Sequence, residues 1–256
     1  MLLTDSHTHL FLEEFKDDID LVIESAFQMG VKRIFLPNID SSTIGPLKKL
    51  VQKYPEQCFP MMGLHPGSVK ADYVSELETI KTELETGNYC AVGEIGIDLY
   101  WDKTFVVEQE DAFRQQIILA KELKLPIVIH ARESFDEIFN IIEPLNDENL
   151  TGIFHCFTGT IEHAQRIIGF GGFMMGIGGV LTFKNAGVDK VVEQIDLKYL
   201  VLETDSPYLA PVPYRGKRNE SAYIIEVANK LEELHNCSVE EVARVTTDNS
   251  VEIFKI

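Results

Sequence analysis

The side chains of metal-binding type in this chain, His7, His9, Glu94, His130, His155 and Asp205, each stand at the downstream end of a short apolar or β-branched run. Leu2-Leu3-Thr4-Asp5-Ser6 leads into His7-Thr8-His9, and Ala91-Val92-Gly93 into Glu94. Pro126-Ile127-Val128-Ile129 leads into His130, Gly152-Ile153-Phe154 into His155, and Val201-Leu202-Glu203-Thr204 into Asp205. A strand sends residues i and i+2 to one side, so His7 and His9 are expected to grip one ion from a single strand. Asp5 would share their face and support them from below. Glu94 ends an apolar run among glycines, where burying an acid is costly unless it meets a cation; its two oxygens can bridge two ions. Imidazole ligands suit Zn, Mn or Fe better than Ca. Asp205 could bind a metal and take the proton of an attacking water, with Glu203 on the same face in a supporting place. Such a set performs metal-assisted hydrolysis.

Around this set stand residues suited to a substrate. His65, in Gly63-Leu64-His65-Pro66, is read as a contact to substrate or leaving group. Arg132 and the cluster Arg215-Gly216-Lys217-Arg218 offer cations for phosphate oxygens, which a guanidinium fork matches well. Tyr100 and Trp101 suit either stacking on a base or plain loop packing. Cys156 is expected to turn to the face opposite His155. His163 and His235 fall in helical stretches and are expected to be exposed.

These residues need a frame that brings distant segments together. Apolar runs at 2–7, 31–36, 59–64, 89–94, 126–130, 152–156, 172–177 and 199–204 are predicted as buried parallel strands. Apolar residues at helical spacing predict helices over 21–29, 74–84, 108–123, 135–142, 162–169 and 221–235, and Ser238-Val239-Glu240-Glu241 is a capping box that opens a last one. Eight strand–helix units in 256 residues predict one α/β domain over 1–256, a single (β/α)8 TIM barrel. Its site would lie at the C-terminal strand ends, where the metal-type residues fall.

The composition narrows the classes. Hydrophobic residues make up 45% of the chain, enough for a sizeable core, and no stretch reaches the length of a membrane span. The start carries no basic segment or cleavage signal, and the four cysteines form no CxxC pair, so a reducing cytoplasm is the expected location. A net charge of −18 argues against holding nucleic acid by a broad basic surface, but not against a few local phosphate contacts. No protein partner is evident, and a monomer or weak oligomer is expected.

Taken together, Asp5-Ser6-His7-Thr8-His9-Leu10, Gly63-Leu64-His65-Pro66, Val92-Gly93-Glu94-Ile95-Gly96-Ile97-Asp98 and Ile129-His130-Ala131-Arg132 closely resemble the TatD family of metal-dependent deoxyribonucleases. His155-Cys156-Phe157-Thr158-Gly159, Glu203-Thr204-Asp205-Ser206-Pro207-Tyr208-Leu209 and Pro213-Tyr214-Arg215-Gly216-Lys217-Arg218-Asn219-Glu220 continue the likeness in family order across nearly the whole chain. The departures are small: Ser6 and Thr8 stand where small residues vary, and Thr158 where serine is usual. The resemblance implies a (β/α)8 barrel with divalent ions, commonly two (Mg, Mn or Zn), and DNA as substrate. His7, His9 and Asp205 would hold one ion, His130 and His155 the other, with Glu94 bridging. His65 and Arg132 would lie near the substrate. The same set could instead serve an ester, amide or aminoacyl bond, since fold does not settle substrate. A scaffold without catalysis fits poorly with a complete ligand set.

Overall fold

The computed structural model of the chain describes residues 1–256. Eight parallel strands alternate with helices as expected for a (β/α)8 barrel. The first strands and helices are β1 (Leu3–Asp5), α1 (Ile19–Gln28), β2 (Val31–Pro37), α2 (Ile44–Lys53), β3 (Cys58–Met61), α3 (Tyr73–Thr86), β4 (Val92–Asp98) and α4 (Val106–Leu123). Then follow β5 (Ile127–Arg132), α5 (Phe135–Ile142), β6 (Gly152–Phe154), α6 (Ile161–Gly169), β7 (Phe173–Ile177), α7 (Val188–Val192), β8 (Leu200–Leu202), α8 (Ile224–His235) and α9 (Val239–Phe254). Continuous ladders join β1 to β3 and β4 to β8. A few backbone bonds carry the ring across each seam. Met62 N–H donates to Ala91 O at 3.1 Å and Gly93 N–H to Met62 O at 3.0 Å; Ser6 N–H donates to Leu202 O at 3.0 Å and Asp205 N–H to His7 O at 2.9 Å.

Strand alternation sorts the core. Ile127, Ile129, Phe154, Met175, Leu200 and Leu202 face the helices in one large apolar cluster. Their neighbours Val128, Ile153, Met174 and Val201 face inward, where Phe35, Met61 and the α9 residues Ile253 and Phe254 join them. Asn249 of α9 donates its Nδ2 to Leu197 O at 2.8 Å and to Leu200 O at 2.7 Å, at the start of β8, so the end of α9 lies at the strand starts and plugs the barrel there. Phe254 stacks on Phe35 with ring centroids 3.9 Å apart.

Some boundaries moved. β1 ends at Asp5, so His7 and His9 lie on the irregular segment beyond it and not on the strand itself. β4 begins at Val92 and runs on to Asp98, three residues later at its start and four at its end than the apolar run predicts. The extension is possible because Gly96, at φ +142°, lets β5 approach: a Cβ there would sit 2.1 Å from His130 O. The helix α2 has no counterpart among the predicted helices, since Gly45 and Pro46 read as breakers. In the first turn Pro loses no helical hydrogen bond. Ser238 caps α9, its hydroxyl accepting Glu241 N–H at 3.2 Å, but the expected capping box is half made: the Glu241 carboxylate turns to Arg244 instead of the Ser238 backbone.

Candidate metal centre

Glu94 is the hub of the barrel mouth. Its carboxylate is 2% exposed, and each oxygen serves a different group of imidazoles. Oε2 lies 3.1 Å from His7 Nε2 and 3.5 Å from His9 Nε2. Oε1 lies 2.8 Å from His130 Nδ1, 2.8 Å from His155 Nε2 and 3.4 Å from His65 Nε2. Asp205 Oδ1 completes the first group, 3.5 Å from His9 Nε2 and 3.8 Å from His7 Nε2. One carboxylate therefore joins side chains from segments more than a hundred residues apart.

The inner face of the barrel supplies these groups by simple alternation. His130 follows Val128 by two positions on β5, and His155 follows Ile153 just past β6. Beyond β8, Glu203 follows Val201 by two and Asp205 by four. His7 and His9 converge although their segment is irregular, because neighbours hold its backbone. Thr8 N–H donates to Phe35 O at 3.0 Å, and His9 N–H to Ser206 O at 2.8 Å. Cys156 and Asp205 adopt left-handed backbone, at φ 47° and 55°. A non-glycine residue held there costs on the order of 1 kcal/mol or more, which the surrounding bonds must offset. Around Asp205 they are plain: its N–H binds His7 O, and Asn219 Nδ2 donates to Thr204 O at 2.7 Å. The left-handed turn removes Cys156 from strand alternation, and its N–H donates to Glu203 Oε1 at 2.6 Å.

Three more buried carboxylates lie around the set, and two of them, Asp98 and Glu203, face its imidazoles. Asp98 lies beyond the predicted strand over 89–94 and carries no assignment from the sequence. It lies four residues beyond Glu94 on the same side of β4, and its Oδ2 holds His130 Nε2 at 3.0 Å. That bond leaves His130 Nδ1 turned to Glu94. Glu203 Oε1 stands 3.5 Å from His155 Nδ1, in the supporting place expected of it. Gly176 makes room for it, since a Cβ there would meet Glu203 Oε2 at 2.0 Å. Asp5 differs from expectation. Its side chain accepts from Thr204 N–H at 2.9 Å, Thr204 Oγ1 at 2.7 Å and Ser221 Oγ at 2.6 Å, so it stitches the β8–β1 seam to the approach to α8 and bonds neither imidazole.

Charge is strongly coupled here. Burial opposes ionisation of Glu94, but His155, His65 and His7 outweigh it and hold the carboxyl well below the usual range. Burial likewise opposes a proton on His9 and on His155, yet carboxylates prevail. Asp205 and Glu94 push His9 up to about 9, and Glu94 and Glu203 raise His155 well above its ordinary value. Burial keeps His7 and His65 below theirs. The mouth thus draws positive charge on each side of Glu94.

Divalent cations suit that demand. His7 Nε2, His9 Nε2 and Glu94 offer ligand atoms within 4.8 Å of one another, and so do His65, Glu94 and His130. His7, His155 and Glu203 form a further such group. Nε2 of His7, His9 and His155 all converge on Glu94, so the ring nitrogens that face one another across the mouth are free to serve as donors. Mixed imidazole and carboxylate donors match Zn, Mn or Fe.

The rim holds the remaining residues. His65 is the inner member, with its Nδ1 accepting Gly67 N–H at 2.9 Å. Arg132 lies at the end of β5, exposed, its guanidinium 4.1 Å from the Tyr100 ring centroid and 5.3 Å from that of Trp101. Arg215 is turned to Phe183, 3.6 Å from the ring centroid, and donates to Ala210 O at 3.0 Å. Arg218 is bound to Asp18 at 2.7 Å and Glu220 at 2.9 Å, away from the hub. His163 and His235 are half-buried, against expectation, and His163 stacks on Phe135 with centroids 4.5 Å apart.

Known proteins resemble the chain across nearly its whole length. The family model described as TatD related DNase matches residues 4–255. The Bacillus subtilis protein YabD, known as an uncharacterized metal-dependent hydrolase, is 38% identical over 256 residues, covering 100% of both chains. Escherichia coli YcfH, known in the same words, is 33% identical over 262 residues, covering 100% of this chain and 97% of its own. Among solved structures, the TatD homolog YjjV of Escherichia coli matches with a TM-score of 0.93 at 27% identity, covering 99% of this chain and 98% of that one.

Proposed function

The chain belongs to the TatD family of metal-dependent hydrolases, and from that premise we propose that it hydrolyses phosphodiester bonds of DNA as an exonuclease. The observation that carries this reading is the division of Glu94, with Oε2 toward His7 and His9 and Oε1 toward His130 and His155. We assign His7, His9, Asp205 and Glu94 Oε2 to one divalent cation, and His130, His155 and Glu94 Oε1 to a second, drawn from Mg, Mn or Zn. When bound, such a pair lowers the pKa of a water and offsets charge on phosphate oxygens.

The chain's own groups do the rest. Asp205, 14% exposed at the open side of the hub, accepts the proton of the attacking water. His65 serves the leaving group. Its Nδ1 accepts Gly67 N–H, so the proton of the neutral ring sits on Nε2, which points into the mouth as a donor. Burial keeps the ring in that neutral form. Arg132, two positions beyond His130, and Arg215 are the cations assigned to non-bridging oxygens. A cytoplasmic site of action is supported by four free cysteines. No helix is long and apolar enough to cross a membrane. A monomer or weak oligomer is the working state.

The test is hydrolysis of an end-labelled single-stranded oligonucleotide by metal-reconstituted protein beside the double variant His7→Ala/Asp205→Ala. Metal-dependent shortening by the intact site alone supports the reading, and the ladder gives the direction. Protein that binds metal yet cleaves no DNA with Mg, Mn, Zn or Co would move the assignment to an ester or amide substrate.

A further inference from the structure

We propose that Tyr100, Trp101 and Arg132 form a fixed stacking platform for a nucleobase beside the scissile phosphate, with Trp101 setting a preference for strands that carry bases; this rests on the DNA reading above. Trp101 is the chain's single tryptophan and is 73% exposed, and Tyr100 is 49% exposed. Both rings stand open to water on the loop between β4 and α4, at the end of the barrel where Glu94 and its imidazoles lie.

The rings are exposed but tied down. Asp98 Oδ1 accepts Tyr100 N–H at 2.9 Å and Trp101 N–H at 3.1 Å, while Oδ2 holds His130 Nε2 at 3.0 Å. One carboxylate therefore fixes the aromatic loop and a metal-type histidine relative to each other. The rings meet edge to face, with centroids 4.8 Å apart at 87°. Arg132 reaches the same place from β5, where it pairs in register with Asp98, and its guanidinium packs on both rings. An aromatic face beside a cation is the complement of a base beside its phosphate.

Charge points the same way. A chain of net charge −18 cannot gather a polyanion by broad attraction, so affinity must come from local contacts. Stacking is indifferent to net charge, and one base on one aromatic ring is worth on the order of 10-fold in affinity.

The single tryptophan makes the test direct. Its emission is followed by stopped flow as metal-loaded protein meets an oligothymidylate or an equally long strand of abasic tetrahydrofuran residues. Quenching by the thymidylate at lower concentrations than by the abasic strand is expected; equal or absent quenching overturns the proposal, whether or not either strand is cleaved. In turnover, Trp101→Ala should shrink the ratio of kcat/KM for thymidylate over abasic strand about 10-fold, and Trp101→Phe should keep most of it. A ratio unmoved by Trp101→Ala, with both rates falling together, would make the ring a packing residue and overturn the assignment. Cleavage of neither strand by native protein would instead remove the DNA reading, while emission with thymidine nucleotides would still decide whether the platform binds a base.

Discussion

Val128 and His130 are two residues apart on one strand, face the same interior and live under opposite rules. Below, Val128, Ile153, Met174 and Val201 close around Phe35 and the tip of α9 in one apolar cluster. About 7 Å higher, given the rise of a strand, the same face carries His130, His155 and Glu203. The lower layer is held by burial and shape, and its loss should cost folding. The upper layer gathers buried ionisable groups with unpartnered ring nitrogens and left-handed backbone, and its loss should cost chemistry. A barrel can bear such a mouth because the plug beneath it is indifferent to charge.

Substitutions at the two levels should therefore separate activity from stability. Glu94→Ala removes both halves of the bridge and should lower kcat on the order of 10³-fold, about 4 kcal/mol of transition-state stabilisation. The unfolding midpoint of chelator-treated protein should stay near that of the native chain. A coincident collapse of the midpoint would mean that the mouth carries the fold, and the contrast between layers would fail. Phe254→Ala is the converse change. Phe254 is 3% exposed and stacked on Phe35, so truncation should cost about 3–5 kcal/mol of stability. Its kcat below the melting range should remain within about twofold. Denaturant unfolding and initial rates on the same preparations decide both.

The barrel and the meeting of the metal-type side chains at its mouth were both legible in sequence, while several supports behind them were not. Glu94, His130, His155 and Asp205 could be read because each ends an apolar run, and the barrel delivers strand ends to one mouth. His7 and His9 converge as expected, but by backbone bonds to Phe35 and Ser206 and not by strand alternation. Asp98 escaped notice because the apolar run suggested a strand ending at Glu94. The usable signal was Gly96: in Gly-Glu-Ile-Gly-Ile-Asp it lets the strand continue, and Asp98 then falls on Glu94's side. Asp5 was misplaced because its partner Ser221 lies 216 positions away, which no local pattern reports. The plug was hidden for the same reason: nothing near Phe254 announces Phe35.

Asp98 allows a smaller and sharper test of the upper layer. Asp98→Asn keeps the size but weakens the hold on His130 Nε2, and lost support behind a ligand typically costs about 10–100-fold in metal affinity or activity. The expected signature is a higher metal concentration for half-maximal rate, with much of the rate recovered at saturating metal. A loss that excess metal does not touch would mean that Asp98 acts on the substrate side, through the Tyr100–Trp101 loop it also anchors.

Asp5 and Glu94 make the finest comparison, since both are buried carboxylates in one barrel. Glu94 is ringed by imidazoles and stays ionised; Asp5 has only hydroxyls and backbone N–H groups. For Asp5 burial outweighs the bonds from Ser221 and Thr204, and the carboxyl is raised from 3.8 to about 7. The folded chain then binds a proton that the unfolded chain has released between those values. Stability from this group is therefore full below about pH 4 and is lost as pH rises toward 7. Asp5→Asn cannot ionise, and the hydroxyls of Thr204 and Ser221 can rotate to meet its amide. In chelator-treated protein, its stability relative to the native chain should improve by roughly 1.4 kcal/mol per pH unit across that window. Unfolding measured at half-unit steps from pH 4 to 7 gives the slope. A flat difference would show Asp5 ionised like Glu94, with hydroxyl and backbone donors alone able to hold a buried anion that elsewhere in this barrel requires imidazoles.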